Sequence, residues 1–256
     1  MPRTPRIRSK SGIYHIMFRG TNRQEIFHDG DDCKRFLETI EKYKKESEIS
    51  VFGWCLMGNH VHLLIQEGNE ELAITVKRIG VSFVSFYNSK YKTSGHLFQD
   101  RFKSECVEEN KSLLAVIRYI HQNPVKAGLV QKPIDWEWSS CRGYYNPDKF
   151  QDPLLDSDLI LSFFSGKRSL FIEFNEEKND DSYLDDIKKV RLTDDEARVE
   201  ISKVIENFDI ARIKTLPKIE RDEIVARIKE VNGVTQRQIS RMLGIPLALV
   251  SRAKSR

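Results

Sequence analysis

The stretch Trp54-Cys-Leu-Met-Gly-Asn-His-Val-His-Leu-Leu-Ile65 decides the fold. It spans two strand-like runs, Val51 to Leu56 and His60 to Gln66, joined at Met57-Gly58-Asn59 by a tight hairpin turn. Side chains alternate along a strand, so His60 and His62 share one face while Val61, Leu63 and Ile65 share the other. The apolar face must meet a core, which leaves the imidazole face as the accessible one. Residues two apart on a strand are separated by about 6.5–7 Å at the backbone, close enough for two imidazoles to converge on one divalent ion. The same pair can also form no more than a polar sheet face.

Outward from this hairpin, strand-like and helix-like stretches alternate. Gly12 to Arg19 reads as a strand and Asp31 to Glu48 as a helix with Phe36, Leu37, Ile40 and Tyr43 on its apolar stripe. Glu70 to Tyr91 reads as a helix, Leu97 to Val107 as a strand, and Ser112 to Gln122 as a helix that Pro124 stops at Asn123. The order β-α-β-β-α-β-α predicts an α+β fold, a ferredoxin-like antiparallel sheet with helices on one face and the other face free to hold a site. An acidic, partly helical linker over 149–192 follows the first domain, 1–148. A small all-α domain over 193–256 closes the chain.

Composition narrows the function classes. The chain has 256 residues and a net charge of +4; 14 Phe, 8 Tyr and 3 Trp supply bulk for a core, which excludes global disorder. No run approaches 18 consecutive apolar residues, so no membrane helix is expected, and the N-terminus lacks the long apolar segment of a signal peptide; the expected location is the cytoplasm. Cys33, Cys55, Cys106 and Cys141 form no Cys-x-x-Cys pair, so packed, reduced thiols are expected. Residues 1–150 carry 23 basic and 18 acidic side chains, 151–190 carry 5 and 10, and 191–256 carry 14 and 10. Two basic blocks around an acidic one fit two polyanion-contacting parts.

Tyr119 lies on the helix before Pro124. Leu113, Leu114, Val116, Ile117 and Ile120 form its apolar stripe, and Tyr119 falls roughly 130° from the stripe's centre, outside the expected core. Asn123 is one turn further on. A tyrosine hydroxyl can attack phosphorus and form a covalent aryl phosphate. A divalent cation would assist by stabilising charge on the phosphate oxygens.

Four segments together carry a resemblance. They are Gly12-Ile-Tyr-His-Ile-Met-Phe-Arg-Gly-Thr-Asn-Arg-Gln24, the hairpin quoted above, Gly95-His-Leu-Phe-Gln-Asp-Arg-Phe-Lys-Ser104 and Arg118-Tyr-Ile-His-Gln-Asn-Pro-Val-Lys-Ala-Gly-Leu-Val130. In this order, over roughly residues 10–145, the chain resembles the single-tyrosine HUH transposases (insertion-sequence-200-like), and most closely their REP-associated tyrosine transposase branch. The resemblance implies a metal-dependent enzyme that nicks and rejoins single-stranded DNA at hairpin repeats through a 5′-phosphotyrosine. By motif position, Tyr119 is the implied nucleophile, and His60 and His62 are the implied ligands for Mg²⁺ or Mn²⁺. Asn123 is the implied third ligand, with Gln122 as its substitute.

Further DNA contacts are expected from Arg19 and Arg23 beside the first strand and from Gln99, Arg101 and Lys103 on one face of the fourth; Tyr14 and His15 could stack on a splayed base. Near the C-terminus, Thr235 to Leu243 and Pro246 to Lys254 resemble a helix-turn-helix around Gly244, with Ser251, Arg252 and Lys254 placed toward duplex DNA. A protein-docking helical bundle fits the same pattern. The expected partners are hairpin-bearing single strands and, through the last domain, duplex DNA, with the protein a monomer or homodimer. Two other functions stay open: a domesticated transposase that regulates by binding DNA without cutting it, and a zinc hydrolase, for which no acidic third ligand stands at suitable spacing.

Overall fold

Four strands pair in the order β2-β3-β1-β4, all antiparallel: β1 (Ile13–Arg19), β2 (Ser50–Met57), β3 (His60–Gln66) and β4 (Lys103–Cys106). The computed structural model describes residues 7–150, 152–179, 181, 183–184, 192, 194–205, 210–231 and 233–253. The chain divides into two compact units, residues 1–184 and 185–256. Among the described residues no helix is long and apolar enough to cross a membrane.

The hairpin of β2 and β3 forms as its alternation requires, with Met57 opposite His60. Its turn is pinned from outside, because the Gly58 carbonyl accepts from the Ile26 and Phe27 amides and the Asn59 carbonyl from the Gly20 amide. Tyr14, Ile16, Phe18, Val51, Trp54, Leu56, Val61, Leu63 and Ile65 point to one face of the sheet. Helices α1 (Gly30–Ser47) and α2 (Leu72–Tyr91) cover that face through Phe36, Ile40, Val76, Ile79 and Phe83.

The second face is not left open. Helix α3 (Asn110–Lys126) lies over it, and Leu113, Val116, Ile117 and Ile120 pack with Phe52, Cys55, Met57 and Leu64. The helices therefore occupy both faces of the sheet, where one was expected. Outside α3 sit α4 (Cys141–Tyr145), α5 (Asp158–Ser162) and α6 (Arg168–Glu176), which bring Tyr144, Ile160 and Phe171 into the same core. The stretch expected as a linker from 149 is thus largely built into the first unit. Asp156 even extends the pairing at β2: its amide donates to the Val51 carbonyl at 2.9 Å, and its carboxylate accepts from the Val51 amide at 2.7 Å.

Two boundaries differ from the sequence pattern. Pro124 lies inside α3, which runs on to Lys126. Proline costs the preceding turn a hydrogen bond, but Asn123 and Pro124 are buried, and packing outweighs local propensity. The strand expected over Leu97 to Val107 is interrupted: Phe98 bridges Gly20, while Lys103 opposes Met17. Between those pairs, three steps along β1 face five along the partner, so Asp100 and Arg101 bulge out of the sheet edge.

The second unit contains α7 (Asp194–Ile205), a short 3-10 segment at Ile210–Thr215, and α8 (Lys218–Lys229), α9 (Gln236–Leu243) and α10 (Leu247–Arg252). Ile201, Ile213, Ile228, Ile239, Leu243, Ile245 and Val250 form its core, with Ile224 packed against it.

Seating of α3 depends on Gly53, which lies at a register shift in β2. A Cβ at Gly53 would stand 2.2 Å from Cδ1 of the buried Ile117. Overpacking of this kind costs about 1–3 kcal/mol. Gly53→Ala is expected to lower the thermal midpoint by roughly 2–10 °C. Adding Ile117→Val, which removes that one carbon, is expected to recover part of the loss. An unchanged midpoint in Gly53→Ala, measured by circular dichroism, would contradict the close seating.

Candidate active site

The β1–β3 register sets Arg19 opposite His60 and Met17 opposite His62. Alternation then places His15, Met17 and Arg19 on the same sheet face as the histidine pair. Tyr119 of α3 meets that face. Its ring centroid is 5.5 Å from His62 and 5.9 Å from His15, and His60 and His62 are 5.1 Å apart. The tyrosine and the two histidines, 57 or more residues apart in the chain, converge as expected.

Burial is where the site departs from the sequence reading. Tyr119 is 1% exposed and His62 0%, although the helical pattern put Tyr119 off the apolar stripe and the imidazole face outside. The cause is that α3 is clamped between the sheet and α4–α6, so both of its sides are interior. His15 is also fully buried and Tyr14 nearly so, with its hydroxyl taken up by the Ser9 amide; neither is presented to a base.

The proton arrangement can be read from the partners. Asn59 Nδ2 donates to the Arg23 carbonyl, which turns its Oδ1 toward His60 Nδ1 at 2.6 Å. His60 Nδ1 must therefore carry the proton, and its Nε2 offers a lone pair 3.4 Å from Asn123 Oδ1. A parallel chain serves His62. The Glu105 carboxylate lies 3.8 Å from His15 Nδ1 and favours the proton there, so His15 Nε2 accepts from His62 Nδ1 at 2.9 Å.

Burial, reinforced by the Arg19 charge and opposed by Asn123, holds the His60 imidazole down at about 4. Burial first, then the neighbouring His15, His60 and Arg19, pushes His62 well below its usual value. Both rings are neutral at pH 7, as metal ligands must be. Among the described residues no group of three or more His, Cys, Asp or Glu is arranged to hold a metal ion. Two neutral imidazoles oriented by Asn59 and His15, with an amide oxygen beside one of them, are nevertheless donor types that suit a divalent cation. Gln122 does not fit as the substitute ligand: its Nε2 donates to the Asn175 and Glu177 carbonyls and its Oε1 accepts from Asn179.

Positive charge flanks the site. Burial, then the nearby Arg23, lowers the Arg19 pKa, and Tyr119 opposes them. Lys103, opposite Met17, shares the histidine face. Gln99 and Arg101 are exposed on the bulged edge, where Arg101 lines a groove against α2 with Lys77, Gly80 and Phe98. Ser251 and Arg252 are exposed on α10 of the second unit, and Lys254 lies outside the described residues.

Sequence reasoning missed the cover. Tyr183 sets its ring against Tyr119 at 5.1 Å and against His15 at 5.9 Å. Its segment is held by acidic contacts: Arg118 pairs with Asp181 at 2.9 Å and Glu177 at 3.0 Å, and Lys126, whose ammonium lies over the Tyr119 ring, donates to the Asp181 carbonyl. The alternation of β1 could have placed His15 beside the pair. Only tertiary structure brings Tyr183 there.

Comparison with known proteins agrees with this geometry. Residues 8–123 match the family model described as IS200-like transposase. Over 117 residues the chain is 30% identical to a Haemophilus influenzae protein named as a REP-associated tyrosine transposase, covering 41% of this chain and 64% of that one. Over 136 residues it is 26% identical to the Escherichia coli K12 REP-associated tyrosine transposase, covering 50% and 75%. The fold is similar to that of a REP-associated tyrosine transposase solved bound to a REP hairpin, with a TM-score of 0.51 at 18% identity over 72% of this chain and 96% of the other. Residues 8–123, which hold His60, His62, Tyr119 and Asn123, are thus the part of the chain that is similar to the IS200-like transposases, and the chain spans less than two thirds of the length of its Haemophilus relative.

Proposed function

We propose that this protein nicks and rejoins single-stranded DNA beside a hairpin through Tyr119. The observation that carries this reading is the convergence of one phenol with two neutral, oriented imidazoles on a sheet face flanked by Arg19 and Arg23. The hairpin partner is inferred from the hairpin-bound relative.

In the proposed step the Tyr119 oxygen attacks phosphorus and the P–O3′ bond breaks. The 5′-phosphate becomes attached to tyrosine, the phenol loses its proton, and the departing 3′ oxygen gains one. Attack by that 3′-hydroxyl on the phosphotyrosine reverses the step. His60, His62 and Asn123 would hold Mg²⁺ or Mn²⁺, and nitrogen donors favour Mn²⁺ of the two. A bound divalent cation supplies stabilisation of charge on the phosphate oxygens. Arg19 adds a fixed positive charge from within a largely dry site, where such a charge acts more strongly than in water. Glu105, His15 and Asn59 hold the imidazoles in the required tautomers.

The cover over Tyr119 has a consequence. A phosphate reaches the phenol only after Tyr183 withdraws, and the Arg118 and Lys126 cations that hold the cover are then free to meet DNA. The same burial is the one observation favouring the second reading, a binding protein that does not cleave. We read the second unit, with α9, the turn at Gly244 to Pro246 and α10, as a helix-turn-helix that contacts duplex DNA.

Tyr119→Phe is expected to abolish covalent protein–DNA adducts on a denaturing gel with hairpin-bearing single strands and Mn²⁺, while strand binding persists. Adducts at the wild-type level would remove the assigned nucleophile, and their absence from the wild type under all metal conditions would favour the binding-only reading. Arg19→Ala is expected to slow cleavage by about 10²-fold or more with a much smaller change in strand affinity. Equal losses in both would make Arg19 a binding residue only. Tyr183→Ala removes one aromatic contact and should raise the initial cleavage rate by about 3- to 10-fold. A rate at or below wild type would show that Tyr183 does not obstruct the site.

A further inference from the structure

We propose that α10 reads duplex DNA chiefly through thymine methyl groups, with one guanine contact from Arg252. This rests on the duplex-binding reading of the second unit. The helix is fixed against its neighbours: Val250 and Ala253 face the core, and Lys229 donates to the Ser251 and Ala253 carbonyls at its C-terminal end. The turn before it is equally determined. Gly244 takes the left-handed conformation (φ 62°), Ile245 is buried, and Ser240 Oγ donates to the Ile245 carbonyl at 2.7 Å.

What α10 presents outward is then limited to Leu247, Ala248, Ser251 and Arg252, which share one helical face and are all exposed. Leu247 is 43% exposed at the start of the helix. No Asn or Gln stands on α10, so the bidentate recognition of adenine is missing. No Asp or Glu stands there to accept from cytosine. The apolar feature a major groove offers is the thymine C5-methyl, which Leu247 and Ala248 match. Arg252 carries the fork that recognises guanine O6 and N7.

Charge selects DNA as the occupant. Val234 to Arg256 carries five Arg or Lys and no acid. Arg241 is already paired with Asp194 at 2.8 Å; among the described residues of this stretch, Arg237 at the start of α9 and Arg252 on α10 are further exposed cations.

The full chain should be used to select duplexes from a random library, and binding to the enriched duplex measured by fluorescence anisotropy. The expected site contains thymines near a guanine. Replacing those thymines by uracil, which removes only the methyl groups, should weaken binding about 3- to 5-fold per contacted base. Leu247→Ala should abolish most of the thymine–uracil difference while circular dichroism stays unchanged, and Arg252→Ala should relax the guanine position. Equal affinity for the thymine and uracil duplexes would overturn methyl readout while leaving duplex binding intact. Absence of any enriched duplex, with residual binding unaffected by Arg237→Ala and Arg252→Ala together, would overturn the duplex reading itself, as a protein-docking face would.

Discussion

Everything in the first unit depends on how deeply α3 sits on the sheet. Gly53 lets the helix approach because it presents no side chain to Ile117, and Tyr119 is two residues beyond that contact. The depth of seating therefore sets the separation of the phenol from His62 and His15. The sheet contributes the other half of the constraint. The register of β1 against β3 brings Arg19 across from His60, and a slip of one residue would turn His15, Met17 and Arg19 to the opposite face. Chemistry at this site is thus fixed by two rigid contacts between regular elements, the setting in which functional side chains are held most precisely.

Electrostatics follow from dryness. A buried imidazole resists protonation, so His60 and His62 stay neutral. Their ring protons are assigned by groups behind them, Asn59 for one and His15 with Glu105 for the other. The guanidinium of Arg19 faces the same space, and Arg23 repels it. The acidic Glu177 and Asp181 answer the same need on the outer side of α3, where they pair with Arg118.

Much of this was legible in the text of the chain. The hairpin, the shared face of His60 and His62 and the ends of β3 follow from strict alternation, and the apolar stripes of α1 and α2 follow from helices with one buried and one open side. Periodicity failed where that premise failed. A single apolar stripe puts Tyr119 outside the core, yet α3 is interior on both sides. Pro124 was expected to end the helix, and burial of its neighbours carried the helix through. Gln99, Arg101 and Lys103 alternate correctly as letters, but the bulge at Asp100 and Arg101 removes two of them from the strand. The acidic composition after 149 hid Leu154, Ile160 and Phe171, which join cores built mainly from distant parts of the chain.

The first unit extends well past the segment shared with known proteins. The family match stops at Asn123, within α3. A fragment ending there, or at the end of the helix, would not close its own core. Phe171 is fully buried against Tyr144, and His121 is fully buried with both ring nitrogens bonded, Nδ1 to Asn175 of α6 and Nε2 to Ser140 just before α4. Asn175 in turn donates to Tyr145, which fixes its amide and hence the His121 proton on Nδ1. Stripping away α4–α6 would leave an imidazole and the apolar back of α3 to water, and α3 would lose the clamp that presses Tyr119 onto the histidine face. Residues beyond the matched segment therefore support the candidate site, and the physical boundary of the unit falls at Leu184 rather than at Asn123.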